Sequence, residues 1–541
     1  MGSDAAATSP RGTSHSLLTP MRQRAFAVLW IGVASAFLAQ YMIPLAAQWY
    51  LVSTPGGPPL VPLVQVAVSV PMALIAVPAG VLADNLDRRR MILAAQTVAL
   101  VIEALLAALA LTGRLSAPGL FICLALLAAC IPPTYTAFSS MVPDIVERPS
   151  IPSASALLAI ATNATRVAGP ALAGFIIAAS SVGMAFASAI PATVLLLLMM
   201  LRWGGQRTVN DDRERFMPAV WSGFRYVRHS PQALKIIARG LWFTAGVGGL
   251  MGLLPLLAAN LGANSTQLGL MLAAQGAGAV LGAITLTRLR RRTTSNRMVG
   301  LGFVTAGIGT LLCALATNLP LLAAAVVLTG WAWTTALATI QAGMQLYLPA
   351  WVRARGMAML LVANLGGQGV GALALGVVAS VFDVRWALAV GATLLAAGAI
   401  LTVTWPLKDL EHVDRSSVRG WHAPELHITP EQVGGEVWVR VHYTVPQESR
   451  TEFLEVMHRL RRIRLRSGAM RWKLLKDSVA VDVFIEDFMV GSWGEYQHQQ
   501  RSRAVVSDRA VEAEAASLSV EGATVSYAFG VETMDPDRAH A

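Results

Sequence analysis

GVLADNLDRRRMILAAQTVALVIEALLAALALT, residues 80–112, decides the fold. Its first part holds two acids and three consecutive arginines, and from Met91 to Thr112 the only charge is Glu103. An apolar run of that length spans a bilayer, which takes roughly 20 residues as a helix. The run lacks the alternation of a barrel strand, and in hydrocarbon only helices or closed barrels satisfy the backbone. The stretch therefore reads as the end of one membrane helix, a charged turn and a second complete helix.

Outward from it, the same pattern gives twelve spans, at about 23–50, 60–83, 91–112, 119–142, 154–180, 182–202, 236–259, 265–287, 297–317, 320–347, 356–380 and 385–407. The arginines sort by side. Turns after even-numbered spans hold Arg88, Arg89, Arg90, Arg148, Arg202 through Arg239, Arg288, Arg290, Arg291, Arg292, Arg297, Arg353 and Arg355. Turns after odd-numbered spans hold Arg114 and Arg385, and Ser53–Pro59 has no charge. Basic loops stay on the cytoplasmic side. Both termini are expected there, in the cell (inner) membrane, with Ser53–Pro59 and the 259–266 turn outside.

Composition agrees. A mean hydropathy of +0.55 with 13% charged residues excludes an ordinary soluble enzyme. Residues 1–407 carry 25 Lys+Arg against 10 Asp+Glu, a net of +15, whereas residues 408–541 carry 17 against 21, a net of −4. The basic excess belongs to the membrane part, where anionic lipid headgroups account for it without nucleic acid. Cys123, Cys130 and Cys313 all fall inside spans, so no disulfide framework is expected. Residues 1–20 read as a disordered N-terminus and not as a cleavable signal.

The quoted stretch has a second copy. Gly282-Ala-Ile-Thr-Leu-Thr-Arg-Leu-Arg290-Arg291-Arg292 ends span 8 as Gly80 to Arg90 ends span 2, at an offset of 282 − 80 = 202. At the same offset Gly169-Pro-Ala-Leu-Ala-Gly174 falls on Gly371-Ala-Leu-Ala-Leu-Gly376. Duplicated six-helix halves are the plan of many secondary transporters, with substrate held between them near the midplane. The halves are 21–202 and 235–407, joined by a linker at 203–234. In that linker Phe216, Val220, Phe224 and Val227 share a helical face suited to the membrane surface.

Gly80-x-x-x-Asp84-x-x-Asp87-Arg88-Arg89-Arg90 resembles the loop 2–3 signature of the Major Facilitator Superfamily, with Asp87 where a glycine is usual. That variant, together with Asn163-Ala-Thr-Arg166-Val-Ala-Gly169-Pro170-Ala-Leu-Ala-Gly174, is similar to the transmembrane secretion effector, or enterobactin-exporter-like, subgroup. The resemblance covers nearly all of 20–407. It implies that Gly80, Asp84, Asp87, Arg88, Arg89 and Arg90 latch the halves together on the cytoplasmic side. The second copy has Leu286 and Leu289 where the first has Asp84 and Asp87, so the latch is expected to be one-sided.

Ionisable residues inside a membrane are functional candidates because burying them unpaired is costly. Glu103 in span 3 and Arg166 in span 5 are the two. Glu103 suits a proton carrier or a structural hydrogen bond. Arg166 suits an anionic substrate or a structural pairing with Glu103 or with backbone carbonyls. Span 1 carries Gln40 but no acid, where relatives often carry one, which weakens proton coupling. Asn163, Gln341 and Gln345 could line a cavity or bond between helices. No catalytic residue, cofactor or metal site is expected.

The tail, 408–541, is a different material. Val437, Val439, Val441, Tyr443 and Val445 alternate with polar residues as a half-buried strand does. A helix with Phe453, Val456, Met457, Leu460 and Ile463 on one face follows, then strands at 469–476 and 479–486 across an Asp477-Ser478 turn, a helix at 492–516 and a strand at 523–532. This β-α-β-β-α-β order is ferredoxin-like. The tail resembles the antibiotic-biosynthesis-monooxygenase type of dimeric α/β barrel, which implies dimerisation through it. His458 and His498 lie on its helices without metal-ligand spacing.

The fold expected is an all-α membrane bundle with a C-terminal α+β ferredoxin-like domain. The leading function is secondary active export of a small organic molecule, siderophore- or drug-like, by alternating access, with a proton as candidate coupling ion. No Walker A motif points to ATP. The competing readings are a membrane-anchored enzyme, which needs convergent reactive groups in 420–541, and a lipid flippase, which needs a laterally open cavity.

Overall fold

The computed structural model describes residues 19–147, 150–202, 223–407, 435–503 and 505–530. Most of the expected N-terminal arm, and Phe216 and Val220 of the linker, lie outside them. The first half comprises α1 (Arg24–Ser53), α2 (Val61–Asn85), α3 (Arg88–Leu111), α4 (Ala117–Ile145), α5 (Ile151–Ala179) and α6 (Val182–Arg202), the last broken at 188–189. The second comprises α7 (Pro231–Asn260), α8 (Ser265–Arg290), α9 (Ser295–Leu315), α10 (Leu319–Tyr347), α11 (Ala350–Val381) and α12 (Val384–Thr404). Eleven of these are long and apolar enough to cross a membrane. The twelfth, α5, runs 29 residues with Arg166 as its only charge.

Local chemistry sets the helix starts. Asp87 is the N-cap of α3: its side chain accepts the backbone N–H of Arg89 at 2.9 Å and of Arg90 at 3.2 Å. A carboxylate there satisfies N–H groups that the first turn cannot bond internally. Ser116, Asn264, Thr294, Asn318 and Asp383 cap α4, α8, α9, α10 and α12 in the same way. The duplication reappears in the arginines. Arg88 donates from Nη1 to the Ser140 carbonyl of α4 at 2.8 Å, and Arg290, 202 residues on, donates from Nη2 to the Ala338 carbonyl of α10 at 3.0 Å.

The cores show how the halves meet. At the arginine-rich end, Phe26, Leu29, Phe138 and Leu196 pack within the first half, and Ile236, Phe303, Ile340 and Leu360 pack separately within the second. At the opposite end Met42, Leu45 and Ala173 share one core with Leu250, Leu254 and Leu268. Among the described residues the bundle is thus clasped at the Ser53–Pro59 end and parted at the other.

The tail forms a four-stranded antiparallel sheet in the order β2-β3-β1-β4, from β1 (Val437–Thr444), β2 (Arg471–Lys476), β3 (Val483–Val490) and β4 (Ala523–Phe529). Helices α13 (Arg450–Ser467), α14 (Trp493–His498) and α15 (Val506–Ser517) complete it. Two expectations are corrected. The third strand starts at Val483, not at 479, because Asp477 Oδ1 accepts the N–H groups of Val479 and Ala480 and folds that segment into a turn. The single helix expected at 492–516 is divided by a π-turn at Gln499–Arg503, where buried Gln499 donates to Ser467 Oγ at 2.6 Å.

Sequence patterning did not reveal the charge buried in the tail. Glu486 on β3 is fully buried; its Oε1 accepts from Arg464 Nε at 3.0 Å and from Trp472 Nε1 at 2.9 Å, and its Oε2 from Tyr443 at 3.2 Å. Burial and the Glu486 carboxylate push the Tyr443 phenol up, so it remains a donor. Glu486→Leu leaves the buried Arg464 with Glu512 as its remaining carboxylate and strips the acceptor from Trp472 Nε1 and Tyr443, and should destabilise the tail by about 3 kcal/mol. Limited proteolysis of the full chain checks this, with faster cleavage expected inside 435–530. Burial opposes ionisation of Glu512, but Arg464 and Arg509 outweigh it and hold the carboxyl below its ordinary range. Its stabilising contribution is complete above about pH 4.3 and is lost as pH falls through the lowered value.

Candidate functional site

The seam between the halves fixes where a ligand can go. On one side, α2 meets α11, where Gln65 Nε2 donates to Gln368 Oε1 at 3.4 Å. On the other, α5 meets α8 through glycines: a Cβ on Gly174 would lie 2.5 Å from the Ser265 carbonyl oxygen, and one on Gly269 would lie 2.7 Å from that of Pro170. Only glycine allows backbones that close. This seam runs inward as far as Val167, whose Cγ2 would stand 2.3 Å from a Cβ on Gly276. Beyond that point the halves part, and Asn163 of α5 and Gln341 and Gln345 in the last turns of α10 carry exposed amides. Amides there suit a water-filled cleft rather than lipid.

Arg166 stands at the closed end of this cleft, next to Val167 in the chain. Its guanidinium lies over the Tyr41 ring of α1, 5.9 Å from the centroid, and over the Trp333 ring of α10 at 5.2 Å. The two rings belong to opposite halves. Among the described residues Arg166 makes no ion pair, and the expected structural pairing with Glu103 is absent. Arg166 is half-buried. Tyr135 adds a third ring nearby, 6.2 Å from Phe37 and 44% exposed.

Glu103 lies elsewhere, inside the first half. It is buried, and Oε1 accepts from Thr193 Oγ1 on α6 at 3.0 Å, while Oε2 has no protein partner. It faces a cavity of about 60 Å³ lined by Phe37, Gln40, Gln96, Cys130 and Thr134 among others. That space accommodates a few waters. Gln40 therefore lines the Glu103 cavity, whereas Asn163, Gln341 and Gln345 are exposed and are not among its lining.

The latch residues are bonded within the first half. Arg89 donates to the carbonyls of Met200 and Leu201 at 2.9 Å each, ending α6, and Arg90 lies 3.9 Å from Asp87, the helix cap. Gly80 has open space where a Cβ would be. The Asp84 side chain lies outside the described residues. In the tail, His458 borders a shallow surface groove with Glu455 and Arg459, and the His498 side chain lies outside the described residues. Among the described residues no cluster of His, Cys, Asp or Glu could hold a metal ion.

Sequence reasoning missed the seat of Arg166. Trp333 could have been found, because tryptophan in membrane helices gathers at the interfaces and this one lies mid-span in α10. Thr193 carried no such signal: threonines at mid-span are common and most bond their own backbone.

A family model described as transmembrane secretion effector matches residues 15–528. Among curated proteins, the enterobactin exporter EntS of Escherichia coli (strain K12) is 26% identical over 345 residues, 62% of this chain and 80% of that protein. The same exporter from Escherichia coli O1:K1 / APEC is 26% identical over 334 residues, 60% of this chain and 77% of that one. Among solved structures, the nucleoside transporter NupG (D323A mutant) superposes with a TM-score of 0.59 at 12% identity, covering 72% of this chain and 99% of its own. A bacterial homologue of the human lysosomal transporter Spinster, inward-facing and unoccupied, gives 0.55 at 14% identity, covering 71% and 95%. These likenesses establish the fold.

Proposed function

The chain belongs to the transmembrane secretion effector family, and from that premise we propose that this multi-span transporter exports a small organic molecule across the cell (inner) membrane by alternating access. The observation that carries the reading is the one-ended clasp: duplicated halves meeting through glycines at the Ser53–Pro59 end and parted at the other. Such a bundle holds its ligand where the seam begins and releases it by rocking. The arginine-rich end is the cytoplasmic one in this reading, so the conformation described is open inward. The relatives' substrate, enterobactin, supports a siderophore-like or drug-like cargo. An untargeted comparison of exported metabolites between deletion and wild-type cells tests it; identical profiles with the protein expressed would sink export.

Orientation has its own test. Ser53 and Val479 are both exposed, and the three native cysteines are buried. In intact cells Ser53→Cys should react with a membrane-impermeant thiol reagent, and Val479→Cys should react only after lysis. Labelling of Val479→Cys in intact cells overturns the assignment of the termini.

Two site roles complete the reading. Asp84 and Arg88–Arg90 latch the cytoplasmic ends when the halves close there; the parted ends of the inward-open state are compatible with that. Glu103 is the proton carrier, supported by its free Oε2 beside a cavity with room for water. Dimerisation through the tail is supported by its sheet, whose edge strand β4 is exposed along most of its length.

A further inference from the structure

We propose that Arg166, with the Tyr41 and Trp333 rings beneath it, recognises the ionised acid group of an aromatic substrate, so that the cargo is an organic anion carrying a flat ring. This rests on the exporter reading and names its substrate class. A guanidinium has five N–H donors in a planar fork and no acceptor. Among the described residues Arg166 gives none of them to a protein oxygen; its neighbours are the two rings, with Cζ 5.9 and 5.2 Å from their centroids. Its N–H donors are therefore left for a carboxylate-type group, which a guanidinium can meet bidentately.

Charge points the same way. Glu103, the nearest intramembrane acid in the first half, is withdrawn into its own cavity and bonded to Thr193. Among the described residues, Asn163, Gln341, Gln345 and Tyr135 are exposed and add neutral amides and a phenol. Among the described residues Arg166 is thus a positive charge without an ion pair where the seam begins, and between low-dielectric walls such a charge attracts anions and repels cations. The rings supply flat apolar faces for an aromatic body. Because Tyr41 and Trp333 come from opposite halves, a ligand at Arg166 touches both, and its binding energy differs between conformations, as a transported ligand's must.

The test uses the full chain in nanodiscs, without a gradient, and three probes of one shape: 2-naphthoate, neutral 2-naphthamide and cationic 2-naphthylmethylamine. The parent should bind naphthoate about tenfold or more tighter than the amide, and the amine weakest. Arg166→Gln should bring the acid and the amide within about twofold of each other. Arg166→Lys, which keeps the charge without the fork, should retain part of the preference, and this guards against a merely misfolded variant. Trp333→Leu should weaken acid and amide alike. Equal or tighter binding of the amide or amine to the parent, or an undiminished preference in Arg166→Gln, overturns the proposal. The exporter reading stands or falls separately, on the metabolite comparison.

Discussion

Glu103→Gln is expected to abolish the response of transport to a pH gradient while leaving the protein folded and ligand binding intact. The substitution is nearly isosteric, and its amide oxygen can still accept from Thr193 Oγ1, which bonds Glu103 Oε1 at 3.0 Å. What it removes is a group that can take up and release a proton next to a hydratable cavity. Asp87 cannot stand in, being committed as the cap of α3, and Asp383 caps α12 at the far end of the bundle. In proteoliposomes, an imposed pH gradient should accelerate substrate movement in the parent about tenfold more than in the variant, with gradient-free exchange retained. A full gradient response in Glu103→Gln would make Glu103 a structural partner of α6 and nothing more.

Gly174→Val should prevent the clasp from closing and arrest transport. Its first added carbon would already stand 2.5 Å from the Ser265 carbonyl oxygen and close to Gly269, both backbone and both on the facing helix. Overpacking of this kind costs about 1–3 kcal/mol. At the upper figure the ratio of closed to open forms changes about a hundredfold. Gln65→Cys, at the other seam, reports it. In the parent background it should be shielded from an impermeant reagent applied at the Ser53–Pro59 side, and with Gly174→Val it should become reactive. Gly269→Val should behave alike. Shielding that persists in both variants would mean that this seam is not a gate.

The family comparisons and the bundle bear out what periodicity and arginine placement implied about class, because a bilayer imposes a length and a polarity on every span regardless of partners. Helix ends were less legible. α7 begins at Pro231 and α11 at Ala350, several residues before the apolar runs that announced them. For α7 the reason is local: Pro231 stands at the first helical position, where its missing N–H costs nothing. The site was half legible. Glu103 and Arg166 stand out as charges, but which residues they meet depends on the packing of α1, α6 and α10, which no local pattern encodes. Asp87, expected in the latch, is bonded as the N-cap of α3, a local role that the charged motif did not announce. In the tail, alternation located β1 correctly but misplaced β3, since Asp477 redirects the chain through a side-chain bond that period-2 patterning does not register.

The tail is tied to the second half. Glu495 of α14 lies 3.5 Å from Arg225, and Arg466 of α13 lies over the Tyr226 ring at 5.7 Å. Tyr226 in turn packs in the core of the second half and meets Trp351 edge-on at 5.6 Å. The sheet is therefore a pointer arm mounted on one of two moving jaws. A small angular swing of that jaw displaces the arm's tip by much more than it displaces any residue in the seam. A fluorophore on the Val479 turn, paired with one at the exposed Leu86 turn of the first half, would register each transport cycle as a change in energy transfer.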